Sequence, residues 1–205
     1  MSFWQARLSS HGLFPFTTTG QADVVISATA LYSMGRHTNE LTIGVPACER
    51  PAADSFDGMF LVQAFNCSRL FAWIERTIFS TPYDLGHIQL DDQMPARISL
   101  ADQDGAMIDL RQAPGAGLQH SQNEDWLGCI YLPRRGNDRR GSGRYFVARL
   151  AGFTEVYAAD ATTVVLAPRP QWPALQWLLD SHWTPTLWRI RHDAVHARSR
   201  TYNQT

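Results

Sequence analysis

The sequence predicts a mainly β, α+β protein: an antiparallel barrel or sandwich carrying a few short helices. Two observations predict it. Short runs rich in β-branched and aromatic residues recur along the chain, several alternating apolar with polar in period two, and helical periodicity is scarce. The runs are ADVVISATALY (22–32), ELTIGVPA (40–47), GMFLVQAF (58–65), HIQL (87–90), ARISLAD (96–102), AMIDLRQ (106–112), LGCIYLP (127–133), RYFVARLAGFTEVYA (144–158) and TTVVLAP (162–168). Asp104-Gly105 joins ARISLAD to AMIDLRQ as a hairpin turn, and Asp57-Gly58 marks a second turn. The helical candidates are CSRLFAWIERTIF (67–79) and WPALQWLLDS (172–181), where Pro173 suits a first helical turn. Polar loops are expected around 113–124 and in RRGNDRRGSG (134–143). Neither is long enough to divide the chain, so residues 1–205 are expected to form one domain.

Composition narrows the class. The chain has 205 residues, 44% of them hydrophobic, which is ample for a buried core. A formal charge of -1 offers no global attraction to nucleic acid or to an anionic membrane. Cys48, Cys67 and Cys129 are too scattered for a disulfide framework. The stretch MSFWQARLSSHGLFPF lacks the basic-then-apolar plan of a secretory signal, and no apolar run approaches a membrane span. A cytoplasmic, soluble protein is the expectation. All 18 basic residues are arginine. Without lysine there is no side-chain amine to form a Schiff base or to carry pyridoxal phosphate. No cofactor is expected.

The segment IERTIFSTPYDLGHIQL (74–90) resembles the signature of the acetoacetate decarboxylase superfamily, in which a Gly-Arg-Glu-apolar stretch leads into aromatic-Pro-Lys-Lys-Leu-Gly. Arg76, Ile78, Pro82, Leu85 and Gly86 occupy matching places at the same spacing. ARISLADQDGAMIDL resembles the family's next hairpin. WLGCIYLP resembles its aromatic-apolar strand ending in Ile-Pro, and the 144–168 and 172–202 segments resemble its long strand pair and its closing helix and strand. Upstream, Glu40 stands five residues before Val45-Pro46, as a family active-site glutamate does. The resemblance covers roughly residues 30–202 and implies an acetoacetate-decarboxylase-like antiparallel β-barrel, with a tendency to form homo-oligomers.

The two family lysines fall on Tyr83 and Asp84. The resemblance makes the first of these positions the nucleophile that attacks a ketone, and neither a phenol nor a carboxylate can form an iminium. The candidate catalytic residues are Glu40, Tyr83, Arg76 and Asp84. Adjacent strand residues face opposite ways, so one of Tyr83 and Asp84 is expected to face the cavity. A tyrosine hydroxyl in an apolar pocket donates a hydrogen bond to a developing enolate oxygen. Glu40 suits a general base or acid once burial raises its pKa. Arg76 offers a planar fork for a carboxylate, or else pairs with Glu75 or Asp84. These parts suit enolisation, dehydration, aldol-type closure or conjugate addition on a keto or polyketide-like small molecule.

Other constellations are weaker. His192-x-x-x-His196 has zinc-helix spacing but lies on a strand, where four residues span roughly 13 Å, too far for one metal. Cys67 with His87 is a candidate nucleophile pair, against the commoner inert thiol. Arg134, Arg135, Arg139, Arg140 and Arg144 form a basic loop without the aromatic platform of a single-strand nucleic-acid binder. Trp73, Trp126, Trp177, Trp183 and Trp188 could line a cavity or fill a core. Two further readings stay open: a non-catalytic small-molecule-binding barrel, and acid-catalysed decarboxylation of an activated β-keto acid. A cavity shared by Glu40 and Tyr83 separates catalysis from mere binding.

Overall fold

Strands carry most of the chain, as the period-two runs require. The computed structural model describes residues 2–18, 20–33, 35–133, 143–199 and 202–203. Helix α1 (Phe3–Ser9) precedes β1 (Phe14–Pro15), β2 (Val25–Ser33), β3 (Arg36–Cys48) and β4 (Gly58–Asn66). Helix α2 (Arg69–Ile74) runs on into a π-helical turn (Glu75–Phe79), followed by β5 (Tyr83–Leu85), β6 (His87–Asp91), β7 (Arg97–Asp102) and β8 (Gly105–Arg111). The C-terminal part holds β9 (Leu118–Leu132), β10 (Arg144–Ala158), β11 (Thr163–Leu166), α3 (Pro173–Asp180), β12 (Leu187–Arg198) and β13 (Tyr202–Asn203). Ser68 caps α2 by accepting the Phe71 N–H, and α3 carries Pro173 in its first turn. Helix α1 was not expected from the sequence. It buries Trp4 and Leu8, four residues apart on one face.

The strands form two sheets. The larger runs β1-β3-β4-β9-β10-β12, with β2 on β3, β5 on β4 and β13 on β10. The smaller is the meander β6-β7-β8 with β11 on its edge. Among the described residues the ladders form two sheets and close no barrel. The partners change along β4. Its outer edge pairs parallel with β9 over Gly58–Phe60 and parallel with β5 over Ala64–Asn66, and a register shift lies between the two stretches. β6, β7 and β8, with β11, pair among themselves.

The main core lies between the sheets. Leu41, Ile43 and Phe65 meet Ile88, Leu100 and Ile108, with Leu8 of α1 and Leu175 and Leu178 of α3 closing the ends. On the opposite side of the large sheet lies a second, smaller cluster: Leu61, Ala64, Tyr83, Leu132, Phe146 and Ala148. The expected polar loop at 113–124 is strand from Leu118 onward. Antiparallel pairing with β10 overrides the polar composition there, and Glu124 is bound by Arg189, Arg191 and Thr154. Of the basic loop, residues 134–142 lie outside the described residues. Arg144 donates from Nη2 to the Ser80 carbonyl at 2.9 Å. No helix among the described residues is long and apolar enough to cross a membrane.

The β4–β9 junction leaves no room for a side chain at Gly58, where an added Cβ would lie 2.2 Å from the Cys129 carbonyl oxygen. Gly58→Ala is therefore expected to destabilise the fold by about 1–3 kcal/mol. A thermal melt should show a transition several degrees lower; an unchanged midpoint would contradict this packing.

Candidate functional site

The site is set by strand pairing around β4. Tyr83 pairs with Ala64, Asp84 with Phe65, and on the other edge Glu40 pairs with Asn66. Directly paired residues share a face, and successive residues alternate. Glu40, Asn66, Ala64 and Tyr83 therefore stand on one face of the sheet, while Phe65 and Asp84 stand on the other. Burial follows: Asn66 is 0% exposed, Tyr83 6% and Glu40 7%.

Asp84 faces away from the constellation. Its carboxylate accepts hydrogen bonds from Gln63 Nε2 at 3.2 Å and Trp172 Nε1 at 3.1 Å, and pairs with Arg76 Nη1 at 2.8 Å. The Arg76 side chain is 58% exposed. Of the four expected site residues, two come together and two leave. The alternation of a short strand separates Asp84 from Tyr83, and Arg76 follows Asp84 in an ion pair at the edge of the opposite face.

The Glu40–Tyr83 face extends across β9, β10 and β12. Phe146 pairs with Ile130, and Ala148 pairs with Gly128 on one side and Arg198 on the other. The π turn after α2 lays Glu75 over this surface, 3% exposed. Thr81 Oγ1 donates to Glu75 Oε2 at 2.9 Å, and Arg198 Nη1 donates to Glu75 Oε1 at 2.6 Å. The Arg198 guanidinium lies over the Phe146 ring at 4.2 Å and the Phe79 ring at 4.8 Å. Phe71 meets Tyr83 edge-on, centroids 6.1 Å apart.

One donor here, Arg198 Nη2, is buried with no hydrogen-bond partner among the described residues, while the Asn66 amide interacts with the Glu40 carboxylate. Asn66 Oδ1 accepts the Ser68 N–H at 2.8 Å, which orients the amide. A buried donor left unpaired costs about 1–3 kcal/mol, so Arg198 Nη2 is the group in this face that packing alone does not account for.

Burial raises the pKa of Glu40. Its contact with the Tyr83 hydroxyl opposes that rise, the Glu75 charge adds to it, and Arg198 and Asn66 pull it back. Burial and the two nearby carboxylates, Glu40 and Glu75, push the Tyr83 phenol well above its ordinary value, so it stays a neutral donor. The result is a carboxyl group that keeps its proton to higher pH than an exposed glutamate, beside a phenol that stays protonated.

Glu75, Asn66, Thr81 and Arg198 were not expected as site residues. Glu75 is adjacent to the signature position Arg76 and was within reach of the sequence. Arg198 lies 123 residues from Glu75 and carries no local motif. The other constellations disperse. His192 and His196 stand on β12, and His192 Nε2 lies 3.1 Å from Glu155. Cys67 Sγ is exposed and accepts the Asn39 N–H. Of the five tryptophans, Trp126 packs on the second cluster. Trp188 belongs to the main core, Trp177 and Trp183 pack half-buried against it, and Trp73 is exposed. A cleft of about 400 Å³ between Trp4, Arg7, His11, Phe60 and Trp177 holds none of the four expected residues.

No protein-family model matches the chain, and no curated protein matches it by sequence. Among solved structures, the fold is similar to the crystal structure of acetoacetate decarboxylase from Legionella pneumophila subsp. pneumophila str. Philadelphia 1. The TM-score is 0.51 at 10% sequence identity, over 82% of this chain and 66% of that one. The chain thus spans just under two thirds of that protein's length. Likeness at this identity establishes the fold alone: a mainly β, acetoacetate-decarboxylase-like architecture.

The raised pKa of Glu40 has a signed consequence. The folded state favours the acid form, so the stabilisation is complete below the ordinary carboxylate pKa of about 4.3 and is lost as pH rises through the folded value. Glu40→Gln fixes a neutral side chain there. Its melting temperature relative to the parent is expected to climb as pH is raised from 4 toward 8; a difference independent of pH would remove the buried-acid assignment.

Proposed function

We propose that this chain is an enzyme acting on the carbon next to a carbonyl group in a keto or polyketide-like small molecule, without a covalent intermediate. The observation that carries the reading is the buried pairing of Glu40 with Tyr83 on a face that also holds Asn66 and Arg198. Glu40, as carboxylate, takes a proton from the α-carbon. The C–H electron pair moves into the carbonyl and leaves an enolate oxygen, which the Tyr83 hydroxyl steadies by donating its hydrogen bond. The proton on Glu40 is then available to return to carbon or to assist a leaving group. Enolisation, dehydration, and aldol-type or conjugate-addition cyclisation share this first step. The absence of lysine removes the Schiff-base route that a fold relative named as a decarboxylase would suggest.

A second reading, a binding protein without chemistry, draws on the packing of Tyr83 with Leu61, Leu132 and Phe146 in one apolar cluster. The two readings differ in a single measurement: deuterium uptake at the α-carbon of bound ketones in heavy water. Under the enzyme reading, Tyr83→Phe slows exchange by roughly 10²–10³-fold, and Glu40→Gln by about 10²–10⁴-fold, with circular dichroism unchanged. Binding without any exchange by the parent protein would favour the second reading. Full activity in both variants would end the first.

A further inference from the structure

Helices α1 and α3 meet over the main core through Trp4 and Trp177, and the surface beside that contact is hollow. The cleft there has a volume of about 400 Å³. It is bounded by Trp4, Arg7 and His11 from the α1 segment, Phe60 and Val62 from β4, and Trp177 from α3. Small-molecule sites occupy roughly 300–1,000 Å³, with mostly apolar and aromatic walls and a few polar groups that fix orientation. Phe60 and Val62 belong to the main core and not to the cluster around Tyr83, so this is a place apart from the acid–base face.

The walls are largely rings. Trp4 and Trp177 stand 6.4 Å apart between centroids with their planes at 81°, and His11 lies tilted on Phe60 at 4.7 Å. Two indoles at nearly a right angle make a corner. A flat ring seated in it lies face-on to one and edge-on to the other, the arrangements that aromatic quadrupoles favour. An alkyl chain gains burial there but neither of those contacts. Trp172, Trp183 and Trp188 each donate the indole N–H to an oxygen. Trp4, only 4% exposed, has no such acceptor among the described residues, and one of its neighbours is this cleft.

Arg7 decides the charge of an occupant. Its guanidinium lies over the Trp177 ring at 4.4 Å and the Phe3 ring at 5.1 Å. Stacking uses the faces of the guanidinium and leaves the N–H donors in its plane free to meet a carboxylate as a fork. Among the described residues no acid pairs with Arg7, and no aspartate or glutamate lines the cleft. One guanidinium balances one negative charge. A monoanionic carboxylate therefore suits the cleft better than a dianionic phosphate, and better than a neutral group that leaves the fork to water.

We propose that this cleft binds a small aromatic carboxylate, its ring in the Trp4–Trp177 corner and its carboxylate on the Arg7 fork. The assignment uses neither Glu40 nor Tyr83, so it stands or falls apart from the reaction proposed for them. It is a binding site, and no bond is made or broken in it.

The test titrates three probes calorimetrically into the full chain: 2-naphthoate, its uncharged counterpart 2-naphthamide, and octanoate. 2-Naphthoate is expected to bind about fivefold more tightly than the amide, the worth of one solvent-exposed ion pair. It is expected to bind about fivefold more tightly than octanoate, through the ring contacts. Two variants at exposed positions of α1 locate the site. Arg7→Gln is expected to bring 2-naphthoate down to the affinity of the amide and to leave the amide unchanged. Ala6→Phe places a ring in the cleft and is expected to abolish binding of both. Thermal melts at the parent's midpoint show that the variants are folded. Failure of 2-naphthoate to bind at millimolar concentration, or binding indifferent to Ala6→Phe, overturns the site. Equal affinity for the amide, or no effect of Arg7→Gln, overturns the carboxylate assignment, and octanoate matching 2-naphthoate overturns the aromatic one.

Discussion

The second face of the large sheet is organised by one buried ion pair, Glu75 with Arg198. It ties the π turn after α2 to the last long strand across a surface where Glu40 and Asn66 stand beside an apolar cluster. Glu75 is 4% exposed at its side chain and Arg198 23%, so both charges have given up much of their hydration. Removing one partner of such a pair costs about 3–5 kcal/mol, largely because the other is left uncompensated. Thr81 and the two phenylalanine rings complete the arrangement, and the two charges act in opposite directions on Glu40 and Tyr83, whose pKa values burial raises most.

The irregular backbone on either side of this pair is where the geometry is made. The π turn ends at Ser80, whose φ of 58° places it in the left-handed region, and the chain then re-enters the sheet through Pro82. Thr81 N returns to the Glu75 carbonyl, which closes the turn on itself. On β4, the register shift against β3 falls between Gln63 and Leu61, level with the point where the opposite edge passes from β9 to β5. Single-turn π segments and bulges are common where a fold re-aims side chains, and both devices occur here within one site.

Much of the architecture was legible in local pattern. The runs at 58–65, 96–102, 106–112 and 144–158 became β4, β7, β8 and β10 with their ends nearly unchanged, β4 as a continuous apolar run buried almost throughout and the others as short runs rich in β-branched and aromatic residues. The Asp104-Gly105 hairpin likewise announces itself. Less legible were segments whose conformation depends on a distant partner. Residues 118–124 read as polar loop and became strand through β10. Helix α1 is too short to display more than one apolar pair. Barrel closure is a property of ladders, which no single segment carries.

The sequence by itself determined which chemistry is open to the chain. It has no lysine, so no imine can form on a side chain, and it places a tyrosine after Pro82 and a glutamate ahead of Val45-Pro46. Only the tertiary structure decided which of these groups meet. The parallel pairing of β5 with β4 turned Tyr83 toward Glu40 and Asp84 away from it. Contact across 123 residues made Arg198 part of the same face. Residue type is a local property and fixes what a group can do. Facing, burial and charge pairing belong to the packed sheet, where a one-residue step along a strand moves a side chain to the other side.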